Sequence, residues 1–284
     1  MEATHALVRD MIKHPINISS KRFIEHTNAY YQWLREEAPV YKGKLSVLTV
    51  YLLSRYNDCV ELLMDRRFVR NRTTVTGGKN RVPFPVPKAI SLVAQNMILA
   101  DEGQRLSEDE LVSMVLLLIL AGFETTVHLI TNAVVTLLLH PVQLQRLRDQ
   151  PDLMSSAVEE IVRYNGPVQS TKPAYASEAI TLHGVTIPRG AMVLPLLGAA
   201  NRDPAVFERP EVFDIARTPN RHLGFGQGIH YCLGAPLARM ETRIALQTLL
   251  KRNPNLRLAV EPKALKLQTI PTWHRYERLP VVLG

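Results

Sequence analysis

The stretch of this chain richest in chemistry is Phe-Gly-Gln-Gly-Ile-His-Tyr-Cys-Leu-Gly-Ala-Pro-Leu-Ala-Arg, residues 225–239. Gly224, Gly226 and Gly228 free the backbone to adopt positive φ and to approach a partner closely. An amphipathic run begins at Leu233, so Cys232 stands at the entry of a helix. The unpaired N–H groups and partial positive charge of such an entry suit a thiolate. A thiolate held this way is a nucleophile or a metal ligand; the plainer alternative is a small buried hydrophobe. As a nucleophile, Cys232 would need a base such as His222 or His230, giving a thiol-dependent hydrolase. A phosphate-cradling G-x-G-x-x-G loop fails here, because Tyr231 takes the third glycine position and no strong strand leads in.

Two other clusters carry candidate chemistry. In Ala-Gly-Phe-Glu-Thr-Thr, residues 121–126, Thr125 can turn its hydroxyl onto a helix carbonyl and open the helix locally. The plainer reading is that Gly122 and Thr125 let a neighbour pack closely. Glu160-Ile-Val-Arg163 places an acid and a base on one helical face; alone, such a pair is usually a solvated surface contact worth a few tenths of a kcal/mol.

The elements that position these clusters follow from patterning. Residues 28–40 read as a helix stopping at Pro39, followed by a hairpin around Gly43 and a helix over 57–64. Residues 71–90, with Gly77, Gly78 and three prolines, read as a long irregular loop. Ser107 and Glu110 form a capping box that opens a helix of about 30 residues, ending at His140-Pro141. Its apolar run, Leu111 to Phe123, is shorter than the roughly 20 residues a spanning helix needs and reads as buried. A helix over 155–164 stops at Gly166-Pro167, and short strands follow around 179–197. Residues 201–224 are rich in Pro, Arg and Asp and resist regular structure. The helix from Leu233 to about Arg252 puts Leu237, Met240, Ile244 and Leu249 on one face, and the last thirty residues read as strands.

With 284 residues, 46% hydrophobic and 21% charged, the composition is that of an ordinary globular protein and excludes disordered and fibrous classes. Two cysteines, Cys59 and Cys232, offer no disulfide framework and suit a reducing compartment. The N-terminus has no apolar core of a secretory signal and breaks at Pro15, so cytoplasmic residence is the expectation. The formal charge of +8 suits an anionic partner.

Taken together, Phe-Gly-x-Gly-x-His-x-Cys-x-Gly with Leu-Ala-Arg, Ala-Gly-Phe-Glu-Thr-Thr, and Glu-x-x-Arg in this order and spacing resemble the cytochrome P-450 family, the haem-thiolate monooxygenases. The resemblance covers most of the chain and implies a mainly α fold with a small β region, one domain over 1–284 in which 1–102 and 103–284 are successive parts. It implies haem b with Cys232 as the iron ligand, whose electron donation favours O–O cleavage. Phe225 then packs beside the ligand, Gly226 and Gly228 shape the loop, Gly234 keeps side chain off the porphyrin and His230 meets a propionate. Ala121 and Gly122 line an oxygen groove in which Glu124 and Thr125 deliver protons. Glu160, Arg163 and Arg217 form a structural triad holding the Cys loop.

The implied reaction inserts one oxygen atom from O2 into a small apolar molecule, with NAD(P)H electrons arriving through a ferredoxin- or flavodoxin-type donor. Arg221, Arg239 and Arg243 offer that donor a basic face. No nucleic-acid partner and no membrane span are implied. The chain departs from the family in two places. It is about a hundred residues shorter than a soluble bacterial-type member, the gap falling after Glu102 where several distal helices belong, so an internally deleted, non-catalytic remnant is the alternative reading. Ala174 stands where a propionate-binding Arg is common, with Lys172 the nearby candidate to replace it.

Overall fold

The computed structural model describes residues 15–77 and 108–284. Helix α1 (Lys21–Glu25) starts at Ser20, whose hydroxyl accepts the Phe23 N–H at 3.1 Å, and α2 (Thr27–Glu37) ends just before Pro39. Strands β1 (Val40–Leu45) and β2 (Leu48–Leu53) form the expected hairpin. Its turn, however, lies at Ser46-Val47, with Ser46 at φ 57°, and not at Gly43. Gly43 is an internal strand residue, needed because a Cβ there would stand 2.8 Å from the Ile16 carbonyl oxygen. Helix α3 (Tyr56–Met64), strand β3 (Phe68–Val69) and the short α4 (Arg72–Thr76) follow. The expected loop at 71–90 thus opens as a helical turn; its remainder and Ser107 of the expected capping box lie outside the described residues.

The long helix is continuous but not uniform. It comprises α5 (Glu108–Ile119), a π-helical turn over Leu120–Glu124, and α6 (Thr125–Leu139). Pro141 then takes the first position of α7 (Pro141–Asp149), where its missing N–H costs nothing. Helix α8 (Met154–Asn165) buries Met154, Ala157, Val158, Ile161 and Val162, an i, i+3, i+4, i+7, i+8 stripe. Four short strands come next: β4 (Ala174–Ala176), β5 (Ile180–Leu182), β6 (Val185–Ile187) and β7 (Met192–Pro195), then α9 (Leu197–Ala200). Residues 201–227 form turns and bends without regular elements, as expected. Helix α10 (Ala235–Arg252) follows, and the chain ends with β8 (Arg257–Leu258) and β9 (Val281–Val282). The last thirty residues are therefore mostly irregular, with far less strand than expected.

The sheet runs β1-β2-β7-β4-β3, with β2 and β7 parallel and the other pairs antiparallel. It joins early and late parts of the chain, and α3 packs on it through Cys59, Leu62 and Leu63. A second core gathers α6, α7, α8 and α10 around Leu129, Leu137, Leu147, Ile161 and Leu246. These two cores flank the Cys232 loop.

Two burial expectations fail. Leu111 to Phe123 is not buried: Leu118 and Ile119 are each 58% exposed and Phe123 71%, whereas Leu137 in α6 is 1% exposed. The whole stretch Leu111–Leu139 is long and apolar enough to cross a membrane by length and composition, yet its second half is a protein core helix packed by three others. The cause is the lack of cover: among the described residues, nothing packs over the outer face of α5. On α10, Leu237, Met240 and Ile244 are likewise exposed, while Ala235, Thr242 and Leu246 form the seam toward α6 and α8. Small residues let α10 approach closely on that seam, and only Leu249 of the expected face joins the core. Consequently Leu137→Ala should cost about 2–5 kcal/mol in urea unfolding, and Leu118→Gln less than about 0.5 kcal/mol.

Candidate functional site

The Cys232 loop is fixed from below by one carboxylate. Glu160, fully buried in α8, accepts Arg163 Nε at 2.7 Å and Nη2 at 2.8 Å, Arg217 Nε at 3.1 and 3.2 Å, Asn220 Nδ2 at 3.1 Å and the Asp214 N–H at 3.0 Å. The two guanidiniums spend their other N–H groups on carbonyls of the irregular segment. Arg163 reaches Asn201, Pro210 and Val212; Arg217 reaches Glu208, Arg209 and Val212. Backbone that has no helix or sheet to satisfy it is satisfied here by side chains. The structure thus brings Glu160, Arg163 and Arg217 together as expected.

A second carboxylate, missed in the sequence, ties the loop itself. Glu159 accepts Arg239 Nε at 2.6 Å and Nη2 at 2.8 Å and shares a 3.0 Å bond with His222 Nε2. Arg239 also stacks over Phe225 at 4.4 Å and donates to the Tyr231 hydroxyl. Burial raises the Glu159 carboxyl, but the bonds from His222 and Arg239 outweigh it and hold the pKa at about 2. The only sequence signal was the Glu159-Glu160 doublet. His222 Nδ1 accepts the Gly224 N–H, so both ring nitrogens are committed, which removes His222 as a base for Cys232. Arg239 is equally committed, leaving Arg221 and Arg243 as the exposed cations of that face.

Above these anchors the loop is close-fitting. A Cβ on Gly224 would stand 2.3 Å from Val162 Cγ1, so the loop base lies directly on α8. Gly226 and Gly228 hold φ of 70° and 72°, the left-handed region that favours glycine. The Cys232 N–H closes onto the Phe225 carbonyl at 2.9 Å. Cys232 is exposed into a cavity of about 260 Å³ and makes no hydrogen bond through Sγ among the described residues. Phe225, Gly226, His230, Gly234 and Leu237 line it on the Cys side, and Ala121, Gly122, Thr125 and Leu129 line it from the long helix.

On that helix the Thr125 hydroxyl donates to the Ala121 carbonyl at 2.6 Å, as expected of a residue that opens the helix, and the π-turn ends there. A Cβ on Gly122 would meet nothing within 4 Å, so the wall is open at this point. Glu124 and Gly228 do not line the cavity. Glu124 pairs with Arg275, which also touches His128 Nε2 at 3.3 Å and stacks on Trp273. Nothing in the sequence around Arg275 announced that partnership.

A family model described as Cytochrome P-450 matches residues 9–253. The chain belongs to the cytochrome P-450 family. It is 42% identical over 231 residues to a Bacillus subtilis (strain 168) cytochrome P-450, covering 80% of this chain and 55% of that protein. It is 56% identical over 158 residues to the biotin biosynthesis cytochrome P-450 of the same organism, covering 56% of this chain and 40% of the relative. The solved structure of the B. subtilis bacillaene polyketide synthase cytochrome P-450 PksS matches with a TM-score of 0.83 and 28% identity, over 95% of this chain and 100% of that one. By sequence the chain spans about half the length of the curated relatives it matches, consistent with an internal gap.

The family implies haem held by a cysteine thiolate, and the residues present fit that group. No cluster of three or more His, Cys, Asp or Glu able to hold a metal occurs among the described residues. The apolar walls and the side-chain-free approach at Gly234 suit a flat apolar macrocycle. At the rim, His230 is held below its ordinary pKa by burial and by the charges of Arg70 and Lys172.

Depression of the Glu159 pKa means that the folded form binds fewer protons than the unfolded chain, so its contribution is present above about pH 4.5 and lost as pH falls toward 2. Glu159→Gln should therefore lower stability at pH 7 by about 1–2 kcal/mol, after discounting for partial exposure, with the gap to wild type closing between about pH 4.5 and 2 in chemical denaturation.

Proposed function

We propose that this protein is a cytoplasmic haem-thiolate monooxygenase of bacterial type, with Cys232 as the iron ligand. The observation that carries this reading is a thiol with no hydrogen bond among the described residues, facing an apolar cavity across from a π-turn that ends at the Thr125 hydroxyl. Bound haem supplies the oxygen-activating chemistry. Phe225 and the glycines of the loop set the depth of the thiolate, and Leu237 and Leu129 keep the walls apolar. Thr125 holds a hydroxyl at the cavity edge, its own proton on the Ala121 carbonyl and its lone pairs free to accept. Glu124 sits one residue behind, its charge balanced by Arg275, so it reaches the cavity only on exchanging that partner.

The substrate is a small apolar organic molecule, in keeping with relatives from biotin and polyketide biosynthesis. Electrons come from NAD(P)H through a ferredoxin- or flavodoxin-type protein, whose acidic face would meet Arg221 and Arg243. Residues 1–284 act as one domain, a reading supported by a sheet whose strands come from both 40–69 and 174–195.

A second reading is favoured by the uncovered face of α5: a shortened chain that binds haem without productive turnover, because open walls neither exclude water nor position substrate. One series of spectra separates these readings from a chain that does not bind haem. The haem-reconstituted protein, reduced under carbon monoxide, should give the red-shifted Soret band of thiolate ligation, and Cys232→Ser should lose it. An unchanged band in that variant would refute the assignment. Given the band, monooxygenation with a surrogate donor yields hydroxylated product, whereas the second reading yields hydrogen peroxide alone.

A further inference from the structure

Strand register places an arginine where the sequence showed none. Strands β3 and β4 pair antiparallel, with Phe68 opposite Ala176 and Val69 opposite Tyr175, so the next pair along the ladder sets Arg70 opposite Ala174. Residues directly opposed in an antiparallel ladder send their side chains to the same side. Ala174 is buried and offers only a methyl group. That side therefore carries one long cationic side chain, contributed by the neighbouring strand.

The Arg70 guanidinium donates to Thr171 Oγ1 at 3.2 Å and to the Lys172 carbonyl, and Thr171 lines the cavity. This brings Arg70 beside Lys172, next to the cavity-lining Thr171, and both charges are felt at the ring of His230, which lines the same cavity. Arg70 is half-buried. Among the described residues no carboxylate forms an ion pair with Arg70 or Lys172, although most other arginines of the core have one. Burial lowers the pKa of each, and their mutual repulsion lowers Lys172 further. Two adjacent cations with reduced solvation are an incomplete arrangement, and an anion is the missing member. An anion between them would stand next to Thr171 and His230, which line the apolar cavity whose wall carries Cys232.

We propose that Arg70 and Lys172, with His230, seat the carboxylate edge of haem, the cationic contact being supplied across the ladder from Ala174. This rests on the haem reading above. Arg70 contributes two N–H groups in a fixed fork suited to a carboxylate, and Lys172 a mobile point charge at the mouth. Both are positioning residues: they would hold the carboxylate edge of the group and do not touch reacting atoms.

The test is equilibrium titration of the apo-protein with ferric haem and with its dimethyl ester, followed by the Soret band. The ester presents the same apolar disc without the negative charges. Wild type should prefer haem to the ester by about tenfold for each charge-assisted contact. Arg70→Gln retains an N–H donor for the Lys172 carbonyl and so preserves the local fold, which circular dichroism checks. It should lose about tenfold of the preference, Lys172→Gln a similar factor, and the double variant should bind haem and ester alike. The preference should also shrink with added salt. Full preference retained in the double variant would overturn the proposal while leaving haem binding intact. Wild type that binds neither compound would overturn the haem reading, and this seat with it.

Discussion

A single buried carboxylate must collect enough donors to justify its place in the core, and much of the structure around the Cys loop follows from that demand. A buried charge is costly unless it is paired and hydrogen-bonded, and Glu160 meets the condition only when Arg163, Arg217, Asn220 and the Asp214 backbone converge on it. The convergence in turn ties down the irregular segment at Asn201 and across 208–212, because the spare guanidinium N–H groups are the partners of those carbonyls. Rigidity in the 201–220 segment is thus borrowed from charge complementarity instead of from helix or sheet. The neighbouring Glu159 repeats the device at smaller scale, and the two adjacent acids divide the work: one holds the approach to the loop, the other the loop. Asn201 connects the two, receiving the Leu223 N–H through its side chain while its carbonyl binds Arg163.

Local motifs were legible in the sequence because their spacing is set by backbone geometry. The Cys loop, the Ala121–Thr126 turn and the Glu160–Arg163 pair lie within a few residues each, and helix ends marked by Pro39, Pro141 and Gly166 fall where expected. Partnerships across long separations were not legible. Arg275 with Glu124, Arg239 with Glu159 and Arg70 with Thr171 depend on chain folding that leaves no periodic trace. Gly43 misled for a different reason: a glycine signals a turn and a close approach equally well, and the Ile16 carbonyl decided between them.

Burial was the other blind spot. Patterning reports which face of a helix is apolar, not whether anything covers it. On α6 the apolar residues meet α7, α8 and α10; on α5 an equally apolar sequence faces outward. On α10 the broad apolar stripe is the exposed one, and the seam that packs is built from Ala235 and Thr242, residues a hydrophobicity pattern passes over.

The π-turn at Leu120–Glu124 has a bearing on the helix that contains it. Closing a ring one residue wider than the α-helical one inserts a residue without adding a full turn. Everything upstream is then rotated by about 100° relative to an uninterrupted helix, one residue's share of 3.6 per turn. The two halves of the helix are consequently offset in angular phase by a set amount. Packing that orients α6 against its neighbours aims α5 only through this offset, and a one-residue insertion or loss at this turn would re-aim Leu111 to Ile119 while leaving the core around Leu137 unmoved.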